Sequence, residues 1–141
     1  MSNEEVIKAT TDQLNAFNAK NWEEWCNTSS ENCIYDEIAT HRKLEGRDNV
    51  LEAMKGWTNA FPNVKGTFGN IAVDGNKSTV EITWKGTHTG ILKTPDGDIP
   101  ATGKEITIRA CQIAKVENGK ITTMQNYFDM MTMMTQLGLT N

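Results

Sequence analysis

Hydrophobic and polar positions divide the chain into a helical first part and a strand-rich second part. Val6, Ile7, Leu14 and Phe17 recur at helical spacing. Asn21 stands three residues before Glu24, a capping-box pattern that predicts a second helix start. A short strand is predicted over residues 33–39. Asp48 is a plausible N-cap for a third helix. In that helix Val50, Met54, Trp57 and Phe61 share one face, and Pro62 marks the end. From residue 64 the pattern changes to strands: 64–73, 77–92, 105–116 and 120–128. Turn signals separate them, namely Asp74-Gly75-Asn76, the segment 94–98, and Glu117-Asn118-Gly119. A short helix follows Asp129. Helices first and an antiparallel meander afterwards predict an α+β domain, with helices packed on one face of a sheet.

Alternation along the strands assigns their faces. Val80, Ile82 and Trp84 share a parity with His88. Ile106, Ile108, Ala110, Ala114 and Val116 share one with Gln112. With no bulge in the last strand, Ile121, Gln125, Tyr127 and Asp129 also share one face. On that condition the helix-covered face collects His88, Gln112, Gln125, Tyr127 and Asp129, a polar cluster inside an apolar cup. Each has a plainer reading as well. His88 can be a hydrogen-bonded core residue, Gln112 a structural one, and Asp129 the N-cap of the final helix. Met130, Met131, Met133 and Met134 can be adaptable core filler. Convergence of several polar groups on one cup is the stronger signal.

Composition narrows the function classes. A chain of 141 residues fits one domain, 1–141. Its net charge is −4 and its basic residues are scattered, so no nucleic-acid partner is expected. No apolar run approaches the ~18 residues of a membrane span. The polar, acidic start is unlike a signal peptide, and Cys26, Cys33 and Cys111 form no C-x-x-C pair. A cytoplasmic protein with reduced thiols is the expectation. His41 and His88 lack ligand spacing to a cysteine, so no metal is expected.

Two stretches carry a family resemblance. One is GTHTGIL (86–92) followed by PATGKEI (100–106). The other is VENGKITTMQNYFDMMTMMTQLG (116–138), and GRDNV before a helix adds to both. The chain resembles the SnoaL-like polyketide cyclases and ester cyclases of the NTF2-like superfamily. That resemblance implies an NTF2-like (cystatin-like) cone. N-terminal helices would pack on a strongly curved antiparallel sheet that encloses a cavity. It implies Asp129, in YFDM, as a buried general base on a small apolar carbonyl substrate, with His88 donating to the enolate oxygen. Gln112 would orient the carbonyl. Tyr35, Trp57, Trp84, Gln125 and Tyr127 would complete the binding set for a small apolar or aromatic ligand. No cofactor is needed for intramolecular aldol cyclisation or ketosteroid-isomerase-like proton transfer. A homodimer through the outer sheet face is implied, where Thr107, Arg109, Cys111 and Ile113 lie. One departure is Met124-Gln125-Asn126, where many relatives carry a Trp and a charged residue. YDE (35–37) and YFD also resemble limonene-epoxide-hydrolase-like proteins. The Arg-x-Asp of those enzymes has no counterpart in residues 85–89, which leaves epoxide hydrolysis as an alternative beside a non-catalytic binding cup.

Overall fold

Helix α1 (Asn3–Ala19) begins where the Ser2 hydroxyl accepts the Glu5 N–H at 3.3 Å. It ends at Lys20, left-handed at φ 54°, whose N–H caps the carbonyls of Ala16 and Phe17. The computed structural model describes residues 2–140. Helix α2 (Trp22–Thr28) starts as its capping pattern predicts, with the Asn21 side chain accepting the Glu24 N–H at 3.2 Å. Strand β1 (Ser29–Glu37) passes through a 3-10 turn (Ile38–Thr40) into β2 (Arg42–Glu45). Helix α3 (Arg47–Ala60) is capped by Gly46 and not by Asp48. Asp48 lies in the first turn instead, where its charge faces the positive end of the helix dipole.

The strand over 64–73 divides into β3 (Lys65–Phe68) and β4 (Ala72–Asp74), interrupted around Gly69-Asn70. Both pair with β5 (Lys77–Thr87). Strand β5 stops short of residue 92 because the chain turns onto the end of α3. There the N–H groups of Thr89 and Gly90 both bond the Ala60 carbonyl. A small separate hairpin follows, β6 (Leu92–Thr94) with β7 (Gly97–Ile99). Strands β8 (Glu105–Glu117) and β9 (Lys120–Phe128) complete the main sheet, and α4 (Met130–Gln136) closes the described chain.

The sheet corrects the expected cone. Its strands run in the order β2-β1-β9-β8-β5-β3, an open path with β2 and β3 at its two ends. β1 lies parallel to β9, so the sheet is mixed and not wholly antiparallel. It is neither strongly curved nor closed on itself. The α+β expectation holds, and one face of the sheet is covered by helices. Val6 and Phe17 of α1, Trp25 of α2, and Val50 and Met54 of α3 share a buried cluster with Ile106, Ile108, Val116, Ile121 and Met124 of the sheet. The Thr10 and Ser78 hydroxyls meet at 2.7 Å in the same interface, satisfying two buried polar groups between α1 and β5.

A single irregularity in β9 decides which residues reach the covered face. Lys115 pairs with Thr123, but the next residue, Val116, pairs with Ile121. Thr122 is therefore an extra residue on β9, a bulge. Side chains alternate with period two, so one extra residue exchanges the faces of everything beyond it. Ile121 points inward, and so do Met124, Asn126 and Phe128. Gln125, Tyr127 and Asp129 do not.

Candidate functional site

A pocket of about 90 Å³ lies between the helices and the covered sheet face. Its walls are mostly apolar and aromatic: Phe17 from α1, Trp25 from α2, Trp57 from α3 and Phe61 just after it, Trp84 from β5, and Phe128 from β9. Trp84 reaches this wall because its cross-strand neighbour is Gly66. A Cβ on Gly66 would stand 2.5 Å from the indole ring, so only glycine leaves room for it. The edge of the Trp84 ring then meets Phe17, with centroids 5.1 Å apart.

The polar groups of the lining are few. They are the side chains of Gln13, Tyr35, Gln112 and Asn126, together with the indole N–H groups of Trp25, Trp57 and Trp84. The Gln13 side chain donates to the Ser29 hydroxyl at 3.1 Å. Gln112 and Asn126 are direct cross-strand partners on β8 and β9, so their carboxamides stand side by side on the covered face. Asn126 Nδ2 donates to the Tyr35 hydroxyl at 3.2 Å. Gln112 Nε2 is buried with no hydrogen-bond partner. An unpaired buried donor costs about 1–3 kcal/mol, a cost that a ligand acceptor would remove.

Behind Tyr35 lies a carboxylate that sequence reasoning missed as a site residue. Glu37 is 0 % exposed and does not itself line the pocket. Its Oε2 accepts the Tyr35 O–H at 2.5 Å, the Trp57 indole N–H at 3.2 Å and Arg42 at 3.1 Å. Its Oε1 accepts the Thr40 hydroxyl at 2.6 Å and Arg42 at 3.1 Å. The local sequence builds this centre directly. Cys33, Tyr35 and Glu37 alternate inward along β1. His41, left-handed at φ 58°, reverses the chain so that Arg42 pairs with Glu37 across β1 and β2. Histidine is among the residues that adopt that conformation more readily. Burial, then the neighbouring Glu37 charge, pushes the Tyr35 phenol well above its ordinary range, so it remains a protonated donor. The inward alternation of an acid beside a Tyr, with an Arg five residues on, was the available signal for Glu37. Asn126 was hidden by the bulge.

Several expected site residues lie elsewhere. Asp129 is exposed and is the N-cap of α4. Its carboxylate accepts the Thr132 hydroxyl at 2.7 Å and the Met131 N–H at 3.0 Å. The Thr132 hydrogen bond, more than any other contact, holds its pKa below the ordinary value. The buried base assigned to Asp129 is thereby corrected, because a buried base needs the opposite shift. Gln125 and Tyr127 are outside the pocket lining, and Tyr127 is 39 % exposed. His88 is fully buried but packs behind the pocket, its ring 5.1 Å from that of Phe61. Its Nδ1 accepts the Thr102 N–H at 3.2 Å, which leaves the proton on Nε2. Burial lowers its pKa. Tyr35, Trp57, Trp84 and Gln112 are the expected residues that the pocket brings together. Among the described residues no group of three or more His, Cys, Asp or Glu could hold a metal ion. No described helix is long and apolar enough to cross a membrane.

The model of the SnoaL-like polyketide cyclases matches residues 8–137. No curated protein matches the sequence. Among solved structures, a candidate SnoaL-like polyketide cyclase from Jannaschia sp. CCS1 superposes with a TM-score of 0.86 at 14% identity, covering 100% of this chain and 98% of that one. IdmH of Streptomyces antibioticus, a candidate polyketide cyclase, gives 0.78 at 19% identity, covering 94% and 98%. An LEH-like epoxide hydrolase of M. tuberculosis gives 0.74 at 18% identity, covering 95% and 90%. At these identities the structural likenesses establish the fold alone.

Proposed function

Taking as premise that this chain belongs to the SnoaL-like polyketide cyclase family, we propose that it binds a small, largely apolar carbonyl compound and promotes its enolisation, as a cyclase or isomerase would. The observation that carries this reading is the unpartnered, buried Gln112 Nε2 beside Asn126 in an otherwise apolar pocket. A ligand carbonyl oxygen placed there accepts the Gln112 N–H and the second N–H of Asn126. Removing a proton from the adjacent carbon moves negative charge onto that oxygen. The two amides then hold the enolate more strongly than the ketone, which is the condition for catalysis. The aromatic walls supply affinity through buried apolar area.

A specific observation favours a second reading, a binding cup without chemistry. The lining holds no Asp, Glu, His, Lys or Arg. The two readings separate on 2-tetralone, a bicyclic ketone with exchangeable α-protons, followed by proton NMR in deuterium oxide. Faster loss of the α-proton signal with the protein than without it, abolished in Gln112→Leu, supports the enzyme. Saturable binding with no exchange above the blank supports the cup.

The assembly proposed here is a homodimer through the outer sheet face. Ile34, Cys111, Ile113 and Gln125 are half-buried there beside exposed Tyr127. That mix is less polar than a solvated face requires. The three unpaired cysteines fit a reducing, cytoplasmic setting.

A further inference from the structure

Among the described residues, the fully buried Glu37 is the one carboxylate hydrogen-bonded to pocket-lining side chains, and the carbonyl reading leaves it unused. We infer that Glu37 is the positioning residue that makes Tyr35 the proton acceptor of the site, receiving through Tyr35 the proton taken from the substrate. This rests on the carbonyl reading above.

The direction of the hydrogen bonds carries the argument. A carboxylate can only accept, so the 2.5 Å contact to Glu37 fixes the Tyr35 proton on the side away from the pocket. The Tyr35 oxygen must therefore act as an acceptor toward everything else, and Asn126 presents its N–H to it, as observed. The donors run in one sense, from Asn126 to Tyr35 to Glu37. An O–H to O⁻ bond this short is charge-assisted and raises the basicity of the phenol oxygen. The Trp57 indole, Thr40 and Arg42 hold the carboxylate from its other sides, so it cannot turn away from Tyr35.

The step balances without a co-reactant. A carbon–hydrogen bond α to the carbonyl breaks, and its electron pair becomes the enolate. That proton forms a new O–H bond on Tyr35. The proton formerly on Tyr35 passes to Glu37 Oε2. The negative charge moves from Glu37 to the enolate oxygen at Gln112 and Asn126. Reversal at a different carbon gives an isomerase, and attack of the enolate on a second carbonyl gives a cyclase.

The experiment compares the wild type with Glu37→Gln, Tyr35→Phe, the double variant and Glu37→Asp. It follows α-proton exchange of 2-tetralone and separates kcat from KM. General-base contributions of this kind are typically ~10²–10⁴-fold. Tyr35→Phe and Glu37→Gln are each expected to lose on that order in kcat with little change in KM. The double variant is expected to lose no more than either single one, and Glu37→Asp to recover part of the rate. The Tyr35 hydroxyl proton should also appear far downfield in the proton NMR spectrum of the free protein and vanish in Glu37→Gln. Exchange that survives in Tyr35→Phe, or losses that multiply in the double variant, overturn the relay and leave the carbonyl reading standing. Absence of exchange in the wild type overturns both.

Discussion

At the scale of single residues, the same side-chain type does different work according to where the backbone puts it. Asp129 and Glu37 are both carboxylates near aromatics, yet one caps an exposed helix and the other is sealed behind Tyr35. Asp129→Asn is expected to leave ligand affinity and melting temperature nearly unchanged, because asparagine caps about as well. Asp129→Ala should lower the melting temperature and leave affinity intact. Calorimetry on both variants checks the pair, and a loss of affinity in the Asn variant would return Asp129 to the site. Gln112→Leu should weaken carbonyl binding while leaving the free protein as stable or more so, since it removes an unsatisfied buried amide. His88 makes a pH prediction. Its folded-state value is lowered below the ordinary 6.5, so the unfolded chain takes up the proton first as pH falls. Its stabilising contribution is full above about pH 6.5 and is lost as pH falls toward the folded-state value. Melting temperature should therefore drop between pH 7 and pH 5, and less steeply in His88→Gln.

At the scale of elements, α1, α2, α3 and the long strands were legible because their signals are local. The Asn21 cap, the Val50–Met54–Trp57 stripe and the Ile106–Ile108–Ala110 alternation each need only their own segment. The pairing of β1 with β9 was not legible, because parallel partners as distant in sequence as Tyr35 and Met124 leave no local mark. Nor was the extra residue at Thr122, since a bulge shows only in the register between two strands. That one residue moved Gln125, Tyr127 and Asp129 out of the expected site and brought in Asn126. Tyr35, Trp57, Trp84 and Gln112, four of the eight expected site residues, line the pocket because their faces do not depend on the extra residue of β9. Gly66 tests the packing of this layer. Gly66→Ala would force the Trp84 ring away from a Cβ only 2.5 Å from it. Overpacking of this kind typically costs 1–3 kcal/mol. A lower melting temperature and an altered Trp fluorescence spectrum are expected, with weaker ligand binding because the pocket wall moves.

At the scale of the whole molecule, an open mixed sheet covered by helices on one face leaves two surfaces with different tasks. The covered face forms the pocket, and the other face is proposed to meet a second copy. Sedimentation at micromolar concentration should give twice the 15.7 kDa of the chain, and Ile113→Asp should give the monomer. A wild-type monomer would count against that assembly without touching the pocket. The central claim is that this pocket recognises a carbonyl through Gln112, and its most direct measurement is a pair of dissociation constants in two proteins. Calorimetric titration of 2-tetralone and of tetralin, which lacks the carbonyl, gives an affinity ratio for the wild type and for Gln112→Leu. A typical hydrogen bond contributes about 0.5–1.5 kcal/mol. The expected result is a ketone-to-hydrocarbon ratio that falls roughly 3- to 10-fold in Gln112→Leu, with tetralin bound equally by both proteins. An identical ratio in the two proteins would contradict the account.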